Sequence, residues 1–285
     1  RLGAAREAAF AAQPTPAGTI EAGLRRALAS LDGDAAPEAI LGTLAVAAPA
    51  LIRAARGQAP VAPDPALPVA ADLLRMTHGT RAAPEDEAAL DTYLTVMAES
   101  GLSASSFAAR IIASTRASIP DAVLGAFCAF TGTLHGGAPG PTLDLLDALE
   151  RAPDKEAWIE ARLAAGERLM GFGHRLFRGN DPRAAAMRAA LLRMGPRAGR
   201  LALADAAEAA VARVLARTKP GRALPANVEI MAALLLEAVR LPREGFTAIF
   251  AVSRVASWIA HAIEQQTRGR MFRPTSRYVG PTPAA

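Results

Sequence analysis

A chain of 285 residues, 51% of them hydrophobic and 5% aromatic, can bury a large core as one domain or as a medium and a small one. Its net charge of +5 comes almost wholly from arginines scattered along the chain, which argues against a nucleic-acid reader and suits anionic small molecules. The single cysteine, Cys128, excludes a disulfide framework and a cysteine zinc site, so a reducing, cytoplasmic setting is expected.

The opening "RLGAAREAAF" lacks the long apolar core of a signal peptide. "TIEAGLRRALASL" reads as a helix opened by Thr19, and "APEAILGTLAVAAPALIRAARG" as a second one that Gly57 ends. The apolar run inside the second is short and holds Pro49, which argues against a membrane span. Residues 58–68, "QAPVAPDPALP", carry four prolines and form a loop. Helical patterns resume in "AADLLRMTHG", "PEDEAALDTYLTVMAESG" and "SASSFAARIIASTRAS". Further helices are expected near 121–130, 141–150, 154–166, 182–194, 204–217, 227–240 and 245–266. No alternating strand and no internal repeat stands out, so the fold class is all-α. Cys128, in "AVLGAFCAF", is expected to be a small core residue. The tail from Arg270, "RMFRPTSRYVGPTPAA", reads as an extended arm.

Two glycine-flanked histidines stand apart from this helical background. In "MGFGHRLFRGNDPRA", 170–184, Gly171 and Gly173 allow a tight turn that presents His174. Asp181-Pro182-Arg183 is a helix start, whose free N–H groups and arginine fork suit a carboxylate or phosphate. The plainer alternative is a glycine loop with a surface histidine. His135, in "TLHGGA", precedes two glycines that leave room for a ligand. His78 reads as a helix C-terminal residue complementing the dipole, and His261 as a core or interface residue. No His, Asp or Glu pair has metal-ligand spacing, so no metal is expected.

"LHGGA" at 134–138, "GFGHRLFRGNDPRA" at 171–184, "NVEI" at 227–230, "FAVSRVASWIAHAIEQ" at 250–265 and "RPTSRYVGP" at 273–281 resemble, in order and spacing, the citrate synthase family. The resemblance spans roughly 20–281, with the family's usual N-terminal portion not represented before residue 1. It implies condensation of an acyl-CoA, acetyl-CoA above all, with a 2-oxo acid such as oxaloacetate, with CoA released and no cofactor permanently bound. By the same resemblance His135 faces the acetyl oxygen, His174 polarises the 2-oxo group, and Glu229 stands where the family carries its catalytic aspartate. Arg183 and Arg254 would hold substrate carboxylates, and Arg273 would reach a neighbouring subunit's site in a homodimer. Lys219 and Arg222, in "TKPGRALP", would meet CoA phosphates, although a solvated loop explains them equally well. Ser100 replaces the histidine that binds oxaloacetate, Ser103 replaces an asparagine, and Pro139 follows "HGGA" where asparagine is usual.

Two readings follow: a condensing enzyme, or a catalytically impaired paralogue acting as a ligand-binding or partner subunit. A third is a chain that works only beside a more complete homologue. The expected architecture is a large helical domain, 1–134 and 220–285, with a smaller helical domain, 135–219, closing over the substrate.

Overall fold

The computed structural model describes residues 1–12, 18–133, 135–136, 139–173, 181–221 and 224–281. Within them the chain runs α1 (Leu2–Ala11), α2 (Ile20–Ala29), α3 (Pro37–Ala55), α4 (Val69–His78), α5 (Pro84–Met97), α6 (Ala104–Ser114) and α7 (Ile119–Phe130). It continues as α8 (Pro139–Arg151), α9 (Lys155–Ala164), α10 (Pro182–Arg193), α11 (Leu201–Thr218), α12 (Val228–Ala238) and α13 (Phe246–Arg268). The described residues hold no β-strand; one isolated antiparallel bridge joins Phe172 to Ala226.

Local chemistry sets most of these boundaries. Side chains of Thr19, Ser103, Ser118, Asp154, Asp181 and Asn227 each accept a backbone N–H in the first turn of the helix that follows. Such caps satisfy donors that a helix start leaves open. Gly79, at φ +82°, ends α4 in the left-handed conformation a glycine adopts without a Cβ clash.

The longest helix, α13, lies at the centre. Phe246, Ile249, Val255 and Trp258 are fully or nearly fully buried along it, and it packs on α3, α5, α6 and α7. Phe127 and Phe130 of α7 meet Trp258 edge-on, at ring separations of 6.4 and 5.3 Å. Helix α3 runs through Pro49 to Ala55, in line with the single helix up to Gly57 expected from the sequence. By length and composition alone α3 and the 243–268 segment could each cross a membrane. In this fold their apolar surface is taken up by packing, with Leu44 to Ile52 buried throughout. Between residues 139 and 238, α9 lies on α11, α8 on α12, and α10 on α5 and α12.

Several local expectations change in three dimensions. The first residues form α1, docked by Arg6, whose guanidinium is buried against the Asp72 carboxylate at 2.8 Å. Cys128 is exposed rather than in the core, because Phe127 and Phe130 take the inward face and the helical period turns position 128 outward. His78 does close α4, but its Nε2 donates to the Val239 carbonyl at 3.0 Å. Burial pulls this imidazole below its ordinary value, so it acts as a neutral donor to another segment rather than as a charge on the dipole.

Candidate active site

The glycine loop is stitched to the start of α12. Gly173 N–H donates to Pro225 O at 2.8 Å, and Asn227 N–H to Gly171 O at 2.9 Å. Asn227 Nδ2 adds a bond to Gly173 O at 2.9 Å, while its Oδ1 caps Glu229 N–H at 2.8 Å. Gly171 and Gly173 have φ of +81° and +78°, and a Cβ on Gly171 would run into Ile230 Cγ1. Both the backbone angle and the close approach therefore require glycine. This stitching holds the loop against the first turn of α12, where Glu229 sits. His174 follows the loop directly and lies outside the described residues.

Two arginines converge on one hydroxyl. Arg183 of α10 directs NH1 at Ser100 Oγ, 2.6 Å away, and Arg254 of α13 directs NH2 at the same oxygen, 3.0 Å away. A guanidinium only donates, so both lone pairs of the serine oxygen are filled and its O–H is left as a donor. Asp181, buried at the cap of α10, accepts Arg183 N–H and grips its guanidinium through both carboxylate oxygens at 2.9–3.1 Å. Arg254 is 1% exposed, donates through Nε to Met97 O at 2.9 Å and stacks over the Phe250 ring. Burial, with the charge of Arg183 adding to it, pulls Arg254 down to about 10, still cationic at neutral pH.

His135 is oriented from behind. Ser105 donates its backbone N–H to His135 Nε2 at 3.3 Å, and its Oγ lies 2.8 Å from the same nitrogen. Because a backbone N–H can only donate, Nε2 accepts and the neutral ring carries its proton on Nδ1. Trp258 Nε1 holds Ser105 Oγ in turn at 3.0 Å, and the Phe130 ring meets the imidazole edge-on at 5.2 Å. Burial, assisted by the Arg254 charge, places His135 below the ordinary imidazole value.

Ser100, Ser103, His135, Arg183, Glu229 and Arg254 line one cavity of about 160 Å³. Met97, Val228, Ala232 and Phe250 supply its apolar wall. A larger cavity, about 420 Å³, opens between α1, α2 and α3. Its wall is mostly alanine, and its Ser30 and Thr43 hydroxyls bond back to carbonyls of their own helices. Volume therefore does not select the site; converging charge and donors do. No cluster of three metal-binding side chains occurs among the described residues.

Of the remaining expected site residues, Arg273 and Lys219 are not brought in. Arg273 is exposed on the extended segment beyond α13 and does not line the cavity. That segment is pinned at its start, where Arg270 O accepts from Gln265 Nε2 at 2.9 Å and Phe272 N–H bonds Ser114 Oγ at 3.2 Å. Lys219 is exposed at the end of α11, and Arg222 lies outside the described residues. Sequence reasoning missed Met97, Ser105 and Phe250 as site residues, and it read Asp181 only as a cap. The hydroxyl-rich run "SASS" is the one local signal that could have pointed to Ser105.

The family model described as citrate synthase, C-terminal domain, matches residues 7–275. The "Putative citrate synthase 2" of Mycobacterium tuberculosis (strain H37Rv) is 45% identical over 200 residues, covering 70% of this chain and 53% of that protein. The 2-methylcitrate synthase of M. tuberculosis (strain Erdman) is 35% identical over 230 residues, covering 80% of this chain and 57% of that protein. The crystal structure of citrate synthase from Thermotoga maritima superposes with a TM-score of 0.82 at 28% identity, over 94% of this chain and 74% of that one. The chain thus spans little more than half the length of these sequence relatives.

Proposed function

The chain belongs to the citrate synthase family, and on that premise we propose that its cleft condenses an acyl-CoA, acetyl-CoA in the first instance, with a 2-oxo acid such as oxaloacetate. One observation carries the reading: two guanidinium groups converge on the Ser100 hydroxyl in a cavity that also holds a neutral histidine and a carboxylate. Such a set binds a carboxylate by charge-assisted bonds and leaves an acid–base pair beside it.

In this reading the Glu229 carboxylate takes a proton from the methyl carbon next to the thioester. His135 donates its Nδ1–H to the thioester oxygen as the enol forms. A neutral imidazole suits that role, since a buried donor stabilises developing negative charge without needing a counter-ion. The enol carbon then attacks the 2-oxo carbon, whose oxygen takes up a proton with His174 as donor. Water finally cleaves the thioester and releases CoA. Arg183, Arg254 and Ser100 hold the oxo acid's carboxylate, while Lys219 and Arg222 are assigned to the CoA phosphates.

The same reading divides the chain into a large helical domain, 1–134 and 220–285, and a small one, 135–219, whose closure would exclude water from the enol. It also makes the protein a homodimer in which Arg273 enters the neighbour's cleft. Exposed Phe107 and Ile111 on α6, with Ile263 on α13 and Phe272 beside them, support a buried face there.

Purified protein given acetyl-CoA or propionyl-CoA with oxaloacetate, pyruvate or 2-oxobutyrate should release free thiol. No thiol with any pair would refute the enzyme reading. A second reading, a ligand-binding or partner subunit, is favoured by Ser100, Ser103 and Glu229 all lining the cavity, so these three departures from the family pattern touch whatever binds. Calorimetric binding of oxaloacetate without turnover selects that reading, and activity gained by Glu229→Asp selects a detuned enzyme.

A further inference from the structure

Behind Ser100 lies a chain of side chains that the condensation reading does not use. Arg110 of α6 donates through Nε to His261 Nδ1 at 2.8 Å and through NH1 to Gln265 Oε1 at 3.1 Å, and its NH2 pairs with Glu264. Because the guanidinium only donates, His261 Nδ1 must accept, which places the proton of the neutral ring on Nε2. That nitrogen lies 3.1 Å from Glu99 Oε2, which also accepts from the buried Ser257 hydroxyl. The other carboxylate oxygen, Oε1, accepts Ser100 N–H at 2.7 Å. Partial burial would raise the Glu99 carboxyl, but the Ser257 and Ser100 hydrogen bonds, with His261 and Arg254 nearby, bring it below its ordinary value. It is therefore a charged acceptor at neutral pH.

The loop that carries Ser100 is exposed at its tip. Gly101, at φ +71°, has open space where a Cβ would sit, and Leu102 is 60% exposed. The backbone of Ser100 is held by the Glu99 carboxylate, and that carboxylate is held by His261 and Ser257 on α13. One further step reaches the site, since the Ser100 hydroxyl is the oxygen on which Arg183 and Arg254 meet.

We propose that His261 is a positioning residue for 2-oxo acid binding, acting through Glu99 to fix the Ser100 backbone and the direction of its hydroxyl between the two arginines. The proposal rests on the cleft being a 2-oxo acid site. It assigns His261, seen from the sequence as a core or interface residue, to the affinity for one substrate and not to the chemical step.

The test titrates oxaloacetate and pyruvate calorimetrically into wild type, His261→Ala and His261→Gln, with thermal unfolding of each protein. Glutamine offers a carbonyl to Arg110 and an N–H to Glu99, so it should rescue what alanine removes. Alanine should weaken oxo acid binding roughly three- to tenfold, as loss of one partly exposed hydrogen bond does, and glutamine by less than about twofold. In turnover the KM for the oxo acid should follow the same order, while the KM for acetyl-CoA stays put. Equal affinity in wild type and alanine variant overturns the proposal, as does an equal loss in the alanine and glutamine variants. If His261→Ala does not fold, Ser257→Ala removes the other hold on Glu99 and should also weaken oxo acid binding; unchanged affinity there counts against the proposal. A wild type that binds neither acid overturns the reading of the cleft, and this inference falls with it.

Discussion

Replacing Arg254 by methionine separates what this residue does for the fold from what it does for the ligand. Methionine keeps a long flexible chain in the buried slot against Phe250 but carries no charge and no donor. The folded protein disfavours the charged arginine: its pKa is pulled from the ordinary value to about 10, which corresponds to about 3 kcal/mol against the cation. Methionine relieves that strain. It also leaves Met97 O without the 2.9 Å bond from Nε, at a cost of about 1–3 kcal/mol. The two terms nearly cancel, so thermal stability should change by at most about 1–2 kcal/mol, in either direction. Binding has no such compensation. A charge-assisted bond to a carboxylate is worth about 1.5–3 kcal/mol, so the affinity for oxaloacetate should fall roughly ten- to hundredfold. Circular dichroism melts and calorimetric titration of the same preparations read both quantities. A melting temperature that collapses, with affinity intact in the protein that stays folded, would refute the reasoning and make Arg254 a structural cation.

Ser105→Ala removes the hydroxyl between Trp258 and His135 while keeping the backbone N–H on Nε2. Turnover should drop about tenfold with the oxo acid KM little changed; an unaltered kcat would mean that the backbone bond alone orients the ring. Tyr93→Phe should stabilise the protein by about 1 kcal/mol in urea unfolding at constant slope, because the buried Tyr93 hydroxyl has no hydrogen-bond partner among the described residues. A clear loss of stability there would show that the hydroxyl is paired in solution, for instance to water. Stability should also decline as pH falls below 6.5, the ordinary imidazole value. His78 and His135 are both depressed in the fold, so the unfolded chain binds their protons first and gains from acid until the folded pKa values are passed. His78→Gln should flatten part of that decline in denaturation midpoints taken between pH 5 and 7, and an unchanged slope would rule out its contribution.

The helical plan could be read along the chain because its signals act over one turn. Thr19, Ser103, Ser118, Asp181 and Asn227 cap the helices that follow them, with hydrogen bonds reaching only two or three residues. The spacing of apolar residues gave the helices of 182–194 and 245–266 to within a residue or two of Pro182–Arg193 and Phe246–Arg268. Helix α1 escaped because the residue that docks it, Arg6, finds Asp72 sixty-six positions away. Cys128 was misjudged for a related reason: its neighbours are apolar, and only packing decides which face of α7 turns inward.

The candidate site divides in the same way. Local pattern marked the glycine loop, the Asp-Pro-Arg helix start and the histidine before two glycines, since tight turns and caps need particular residues at adjacent positions. The meeting of Arg183 and Arg254 on Ser100 bridges separations of 83 and 154 residues, and no short-range rule specifies it. Nor does one specify that His135 is neutral with its proton on Nδ1, or that His261 reaches Ser100 through Glu99. Residue identity by itself determined which groups could donate, accept or carry charge. Tertiary structure alone decided which of them share a cavity, because desolvation and hydrogen-bond direction depend on what surrounds a group and not on what adjoins it in the chain.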